Sequence, residues 1–464
     1  MAVVVILGID LGTTYTVTAD ISAGGRPVAL PNSLGESTTP SVVHFESANR
    51  VLVGSAARNA ATVEPDNTVS LIKRRMGDEL DLYFHGVRHT PESISALVLR
   101  GAVGDTAGVR AVITVPAYFG IREREATFQA AALAGIEVLE LLSEPVAAAL
   151  HYSTAVPDAA STTLVYDLGG GTFDTTVLRA GDHGVEVVAT DGDSHLGGAD
   201  WDERVREFLL ESFAQAVPDV DPYEDEVFLS ELTALAEKAK RDLSRVSSRS
   251  VVLRCGGAST SVELDRAAIA DMGADLVDIE RLVERLRRRL ARSAHQLAGT
   301  GALRKAGGRL AVIADQPTRS VVPRSFGVLV EDSHDPSGQG RVVVHTVHQN
   351  DPLPATATSR FCTIVNRQDR VRVQVYEQAG DVPSADVAHN RRVLDGELSG
   401  LPPLPAGSPV EVTLSVSTDG LLSVTARVPR SRRKLELQSY VDGVVDGSAH
   451  AELAATLAAV EVSQ

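Results

Sequence analysis

The chain has 464 residues and a mass of 49.0 kDa, room for about three domains whose cores need neither disulfides nor structural metal. Its 44% hydrophobic content and mean hydropathy of +0.02 exclude collagen, coiled coil and wholesale disorder. With 44 basic against 61 acidic residues, the net charge of −17 opposes phosphate backbones and anionic lipid, so neither nucleic acid nor a membrane is an expected partner.

The opening run MAVVVILGID is apolar but ends early at Asp10 and has no basic flank. It reads as a buried strand over residues 3–9 rather than as a signal peptide or membrane span. Further strands are expected at residues 111–115 and 163–166, and helices at 122–134, 145–152, 202–214, 231–243 and 276–290. The last of these carries apolar residues at helical spacing (Leu276, Ile279, Val283, Leu286, Leu290). This mixture is the pattern of an α/β domain over residues 1–300. The basic run at 281–292 holds glutamates and a helical period, so it reads as a solvated face rather than a nucleic-acid patch. Residues 293–308 are rich in glycine and alanine and read as a loop or linker. From Val321 to Val428 the period becomes two: Val371, Val373 and Val375 alternate with Arg370, Arg372 and Gln374. Asp419-Gly420 marks a hairpin turn, and the whole stretch is expected to form an antiparallel β domain. Residues 449–460 suit one short helix. Two cysteines, Cys255 and Cys362, supply neither a disulfide framework nor a four-thiolate zinc site, which fits a reducing, cytoplasmic setting.

One pattern occurs twice. VVILGIDLGTTY (4–15) and LVYDLGGGTF (164–173) each run from an apolar strand through Asp-Leu-Gly into a small-residue turn containing threonine. Either copy alone is most simply a tight turn with a capping aspartate. The matched pair, with Asp10 and Asp167 at equivalent places, implies two hairpins facing each other across a cleft. Glycines let backbone approach a ligand, and successive N–H groups make an anion nest. Asp10 and Asp167 would repel phosphate unless a divalent cation sits between, bound mostly through water as Mg²⁺ prefers. The pair therefore predicts a magnesium-nucleotide site between two lobes. Taken alone, Lys73 in SLIKRRMG is most simply part of a solvated basic face with Arg74 and Arg75, though it also suits the terminal phosphate. Glu144, in LLSEPVAAAL, suits the same site or an ordinary helix first turn.

Together these segments resemble the DnaK-type chaperones of the seventy-kilodalton heat-shock class. The resemblance runs in order through GIDLGTTYTV (8–17), STTPSVVHF (37–45), NTVSLIKRRMG (67–77), VITVPAYF (112–119), REAT (124–127) and SEPVAAALHY (143–152). It continues through VYDLGGGTFDTTVL (165–178), GDSHLGGADWDERV (192–205), EKAKRDLS (237–244) and the sandwich segments 361–375 and 396–426. It implies an actin-like (ribonuclease H-like) two-lobed ATPase domain over 1–300, incomplete in its second lobe, that binds ATP or ADP with Mg²⁺. Residues 301–322 would be a linker or strand remnant, 323–440 an antiparallel β-sandwich for peptides, and 441–464 a short tail without a lid.

By position in the family, Asp10 and Asp167 would order the hydrated Mg²⁺. Gly12, Thr13, Thr14, Tyr15, Gly169, Gly170, Gly171, Thr172, Gly197 and Gly198 would hold the nucleotide's phosphate end. Lys73 would orient the attacking water, with Glu144 assisting. Glu237, Lys240, Arg241 and Ser244 would hold one side of the adenosine. Pro116 and Arg124 would couple nucleotide to sandwich, and Val328, Phe361, Ile364, Val371 and Val373 would line the peptide cleft. For Val371 and Val373 an ordinary core position is an equal alternative. The implied partners are unfolded or extended apolar peptides, a J-domain co-chaperone and a nucleotide exchange factor.

Two departures from the family pattern carry expectations. Between Leu290 and Pro323 the strand ending in a Gly-Gly-Ser-x-Arg turn and the helices beyond it are not recognisable; 309–319 is a remnant of that strand or an altered linker. One wall of the base site would then be missing, at roughly 2–3 kcal/mol for about 100 Å² of apolar contact, which is about 30- to 150-fold in affinity. No lid-like segment follows the sandwich, so peptide release is expected to be fast. The leading expectation is an ATP-driven peptide-binding chaperone. The alternative is a nucleotide-sensing or nucleotide-independent peptide-binding module that does not hydrolyse ATP.

Overall fold

The computed structural model describes residues 5–22, 25–155, 162–181, 184–276, 320–332, 340–379, 384–429, 431, 433–438 and 447–464. Alternation along the first strand, β1 (Val5–Leu11), sends Leu7, Ile9 and Leu11 into the core and leaves Asp10 on the open face. β2 (Tyr15–Ile21), β3 (Pro27–Leu30) and β4 (Thr39–Pro40) extend that sheet on one side. β5 (Val43–Ser47), β6 (Arg50–Val53), the helix α1 (Ser55–Ala60) and β7 (Thr68–Val69) follow as a second small sheet with its flank. After the hairpin β8 (Leu82–Phe84) and β9 (Val87–His89) comes α2 (Pro91–Val103). α2 is a helix the apolar spacing does not announce, because almost every residue in it is buried, Ser93 and Ser95 included. Its start is nonetheless written locally: Pro91 sits at the first helical position, and Thr90 and Ser93 form a reciprocal capping box.

β10 (Val109–Val115) then pairs parallel with β1, α3 (Ile121–Leu133) crosses over, and β11 (Glu137–Ser143) pairs parallel with β10. The resulting order β11-β10-β1-β2-β3 is that of an α/β first lobe. α4 (Glu144–Ala155) leads into the second lobe, an antiparallel meander of β12 (Thr162–Leu168), β13 (Phe173–Gly181) and β14 (Gly184–Asp193). Beside it lie α5 (Gly198–Ala216), α6 (Glu226–Leu243), the hairpin β15 (Ser248–Cys255) and β16 (Ala258–Asp265), and α7 (Arg266–Met272). These share their own core around Leu209, Phe213, Phe228 and Leu232. α6 begins at Glu226, five residues before its expected start, because the Asp225 carboxylate accepts from the Phe228 N–H at 2.9 Å and caps the helix. The expected helix 276–290, the basic run 281–292, the linker 293–308 and the strand remnant 309–319 lie outside the described residues, apart from Leu276.

The β domain is a sandwich of two antiparallel four-stranded sheets. One has the order β18 (Arg341–Val347), β17 (Phe326–Glu331), β20 (Val371–Gln378), β21 (Asn390–Leu398). The other runs β19 (Ala355–Cys362), β22 (Pro409–Val416), β23 (Leu422–Arg427), β24 (Lys434–Gln438). The expected turn between β22 and β23 closes with Gly420 at φ +80, a left-handed conformation that favours glycine. A last helix, α8 (Gly447–Ala458), and strand, β25 (Glu461–Ser463), return to the first lobe, where β25 pairs parallel with β6. Among the described residues no helix is long and apolar enough to cross a membrane.

Sandwich and first lobe meet through buried charge. α3 starts at Gly120, which supplies no side-chain cap. Instead Glu377 of β20, wholly buried, accepts from the Ile121 N–H at 2.9 Å, which places a carboxylate at the positive end of the helix. A Cβ on Gly120 would stand 2.4 Å from Glu377 Oε1, so the close approach needs glycine there. Arg391 binds both Glu377 (3.2 Å) and Glu123 (3.1 Å), and Arg324 lies 3.6 Å from Glu123. Burial would push the Glu123 carboxyl up, but Arg324 and Arg391 overcome this and hold it low.

Replacing Glu377 by alanine leaves Arg391 short of a buried partner and the helix uncapped. Glu377→Ala should cost about 3 kcal/mol in thermal or denaturant unfolding, with Glu377→Gln, which keeps an acceptor for Ile121, costing clearly less. Equal losses for the two variants would show that the carboxylate's charge and cap contribute nothing separable.

Candidate nucleotide site

Three glycine-bearing loops abut at the junction of the two lobes. The β1–β2 turn is held from below by Ser41, whose hydroxyl donates to Gly12 O at 2.8 Å and whose N–H donates to Thr14 O at 2.9 Å. The β12–β13 turn closes with Gly169 N–H on Thr172 O at 2.9 Å. The loop before α5 joins it: Gly198 N–H donates to Gly169 O (2.9 Å) and Ala199 N–H to Gly170 O (2.8 Å). Side chains would not fit between them. A Cβ on Gly170 would lie 1.8 Å from Thr14 Oγ1, and one on Gly197 would lie 2.4 Å from Gly171 N. The two matched hairpins are therefore in contact, Thr13 and Thr14 against Gly170 and Gly171, with Gly197 wedged behind.

The charged residues gather at the same place. Asp10, at the end of β1, accepts from Thr114 Oγ1 at 2.7 Å. The Asp167 carboxyl is pushed up by burial and then by the charge of Asp10, while Lys73 pulls it down. Lys73 is 5% exposed and donates to Glu144 at 2.5 Å, rather than belonging to a solvated face. Glu144, the first residue of α4, is likewise pushed up, by burial first and by Asp10 and Asp167, against the pull of Lys73. Asp174, 1% exposed, is held well above the carboxylate range by burial, Glu144 and Asp167, and accepts from the Ala117 N–H at 3.1 Å.

Four carboxyl groups thus share one ammonium in a partly desolvated pocket, a set that favours an added cation. Among the described residues no three histidine, cysteine, aspartate or glutamate side chains form a direct coordination cage. Two facing carboxylates without a cage fit Mg²⁺, which keeps most of its water and takes few protein ligands.

Arg74, beside Lys73, proves to be part of the site. Its Nε donates to Gly171 O at 2.6 Å, and its two terminal nitrogens reach Asp200 at 3.2 and 2.6 Å. Asp200 in turn accepts from the Gly197 N–H at 2.7 Å, so one bidentate pair ties the first lobe to the turn that opens α5. On the base side, Lys240 is held by Asp202 (2.7 Å) and Gly198 O (2.5 Å). Glu237 lies 3.7 Å from Arg58, which donates to the Tyr15 hydroxyl at 2.8 Å and covers its ring. Arg241 lies 3.6 Å from Glu237 and is largely exposed, and the Ser244 hydroxyl bonds back to Arg241 O. Most of the stretch between Leu290 and Pro323, where the opposite wall of the base site is expected to be missing, lies outside the described residues.

Sequence reasoning passed over Arg58, Arg74, Thr114, Asp174, Asp200 and Asp202. Only Asp200 carried a local signal, three residues after Gly197 at a helix start. Pro116 opens the turn in which Phe119 N–H donates to Pro116 O at 3.1 Å. Arg124 donates to Phe119 O and to Asp419 O of the sandwich hairpin, each at 3.1 Å, and burial lowers its pKa to about 10. In the sandwich, Val328 and Val373 are core residues of one sheet, Phe361 and Val371 are half-buried, and Ile364 is 57% exposed beyond β19.

The raised pKa values of Asp167, Glu144 and Asp174 mean that the folded state holds their protons more tightly than the unfolded chain does. Their contribution favours folding at low pH and is lost as pH rises through the raised values. Asp167→Asn should therefore melt above the wild type at pH 7–8 without divalent ions, with the gap closing toward pH 4. Added Mg²⁺ should stabilise the wild type more than the variant. An unchanged melting temperature across that range would contradict the pocket's electrostatics. Separately, Gly197→Ala forces Cβ against backbone that cannot rotate away. It should cost about 1–3 kcal/mol in stability and abolish nucleotide binding measured by calorimetry.

A family model described as Hsp70 protein matches residues 6–97, 80–300 and 326–454. Those ranges run through all three glycine loops, the Lys73–Glu144 pair and both sheets of the sandwich. The chain belongs to the Hsp70 family, whose members are chaperones that generally bind ATP with magnesium.

Proposed function

We propose that the chain is an ATP-dependent chaperone that binds exposed apolar peptide segments and couples their release to hydrolysis of Mg-ATP. The observation that carries this reading is the buried Lys73–Glu144 pair at 2.5 Å, within electrostatic range of both Asp10 and Asp167. Thr13, Thr14, the Gly169–Gly171 turn, Thr172, Gly197 and Gly198 would present hydroxyls and backbone N–H groups to the phosphates. Asp10 and Asp167 would hold hydrated Mg²⁺, which when bound neutralises charge on the phosphate oxygens. Lys73 offers its ammonium to charge that develops on the terminal phosphate, and Glu144 fixes where that ammonium points. Catalysis of this kind is positioning plus electrostatics, so the burial of Lys73 strengthens its effect.

The path from site to sandwich is short. Asp174 holds Ala117, the turn from Pro116 to Phe119 carries Arg124, and Arg124 holds the β22–β23 turn at Asp419. We take this as the route by which the nucleotide state would reach the peptide cleft. The cleft would use the exposed Ile364 beside Phe361 and Val371 for an extended peptide, which adds main-chain hydrogen bonds to one or two side-chain contacts. A J-domain co-chaperone and an exchange factor are the partners that family membership supports. The free thiols of Cys255 and Cys362 suit a cytoplasmic setting.

Single-turnover hydrolysis of ATP by the wild type and by Lys73→Ala, with and without an apolar peptide, tests the reading. Expected are peptide-stimulated turnover and a loss of about 10²- to 10³-fold in the variant. No turnover by the wild type, with peptide affinity indifferent to ATP, would instead establish a peptide-binding module that does not hydrolyse nucleotide.

A further inference from the structure

The last eighteen residues return to the first lobe, about four hundred positions from the segments they touch, and the family match ends at residue 454. Much of this segment has specific partners in the first lobe. Leu453, Leu457 and Val460 are 2%, 1% and 4% exposed in the core shared with α2 and α3. Arg100 of α2 donates to Leu457 O (2.7 Å), which also accepts from the Val460 N–H, and to Val460 O (3.1 Å), holding the turn that leaves α8. Beyond it, β25 adds to the edge of β6 with Val462 opposite Val51, and the Glu461 N–H donates to Asn49 O at 2.9 Å. Gln464 completes the fit. Its amide nitrogen donates to Gly101 O (2.6 Å) in the last turn of α2, and its oxygen accepts from the Ser33 N–H (2.9 Å) and hydroxyl (2.5 Å).

Helix-in-groove and strand addition are the two usual ways in which a domain recognises a peptide, and here one segment uses both. We propose that the first lobe carries a peptide-docking site, formed by α2, α3 and the β6 edge, that is filled in cis by residues 447–464, and that filling it tethers the sandwich in its docked position. Only eight residues, 439–446, join β24 to α8. They span at most about 30 Å when fully extended. A linker this short gives the segment an effective concentration of about 1 mM at its site, so an intrinsic affinity of only ~10 μM leaves it about 99% docked. Because the sandwich also holds this lobe through the Glu377–Arg391–Glu123 cluster at the start of α3 and through Asp419 on Arg124, the tether and these contacts support each other. Loss of one must weaken the other by the same factor. This holds whether or not the chain hydrolyses ATP.

The tether is tested by cutting it in the folded full-length chain at a protease site placed within 439–446. The readout is amide exchange at Ile121, whose N–H is bonded to Glu377 of the sandwich. Made at chain concentrations well above that affinity, the cut should leave residues 447–464 mostly bound yet speed Ile121 exchange at least tenfold. In the uncut chain Leu453→Asp with Leu457→Asp should speed it likewise, and a synthetic 447–464 peptide should bind this variant without restoring protection. Arg50→Cys with Glu461→Cys in a Cys362→Ser background should form a disulfide and hold Ile121 exchange at or below the wild-type rate. Exchange unchanged by the cut, full restoration by the free peptide, or failure of the disulfide to form would each overturn the proposal.

Discussion

Crowding four carboxyl groups around one ammonium, three of them buried or half-buried, is the constraint on which the rest of this structure turns. Asp10, Asp167, Glu144 and Asp174 come from four different elements, and Lys73 from a fifth. No short stretch of chain could bring them together. Each of the three carboxyl groups that burial raises would be more comfortable in water. They stay together because the surrounding packing is stronger than their repulsion: interlocked glycine loops on one side and the bidentate Arg74–Asp200 pair on the other. The fold thus stores an unmet demand for positive charge at the seam between two lobes. A site with that character binds a cation–polyanion complex well, and it resists a bare polyanion.

The same logic of borrowed charge fixes the sandwich. Gly120 at the head of α3 cannot cap the helix with a side chain of its own, and its missing Cβ is what lets Glu377 in. The sandwich carboxylate satisfies an N–H of the first lobe, and Arg391 and Arg324 neutralise the pair of glutamates that this creates. Four residues on from Gly120, Arg124 is buried on the carbonyl of Asp419 where the β22–β23 turn presses on it, close enough that a Cβ on Gly420 would lie 2.9 Å from Arg124 Cδ. Such contacts are geometrically strict and carry charge, so a small displacement of the Pro116–Phe119 turn changes them sharply. Bulk apolar contact would tolerate that shift.

Much of this is legible in the amino-acid sequence, for identifiable reasons. The two hairpins announce themselves because strand, aspartate, glycine and threonine must follow one another within a dozen residues. The period-two valines of the sandwich are equally local. α2 is hidden because a helix buried on all sides loses the polar face that makes the 3.6 period visible. Arg74 is hidden for a related reason: in a run of three basic residues, one-dimensional pattern cannot show which is turned inward. Asp174 sits two residues beyond a conspicuous glycine turn, and its importance lies in the Ala117 N–H it meets across the lobes. The return of residues 447–464 to the first lobe has no local signature at all, since its partners lie more than three hundred positions away.

That last contact changes how the chain should be pictured. A linear arrangement of ATPase followed by sandwich would leave the sandwich held at one end, free to swing on its connection to the second lobe. With β25 paired to β6, the sandwich instead sits in a loop of chain that this noncovalent pairing closes, anchored at both ends. Closing such a loop lowers the entropy that the undocked state could gain, and it does so without adding any contact at the Glu377 cluster itself. The docked geometry around α3 therefore draws its persistence from a strand and a helix remote from it in sequence. Whatever event loosens the sandwich must either break that strand pairing or work within the reach of eight residues.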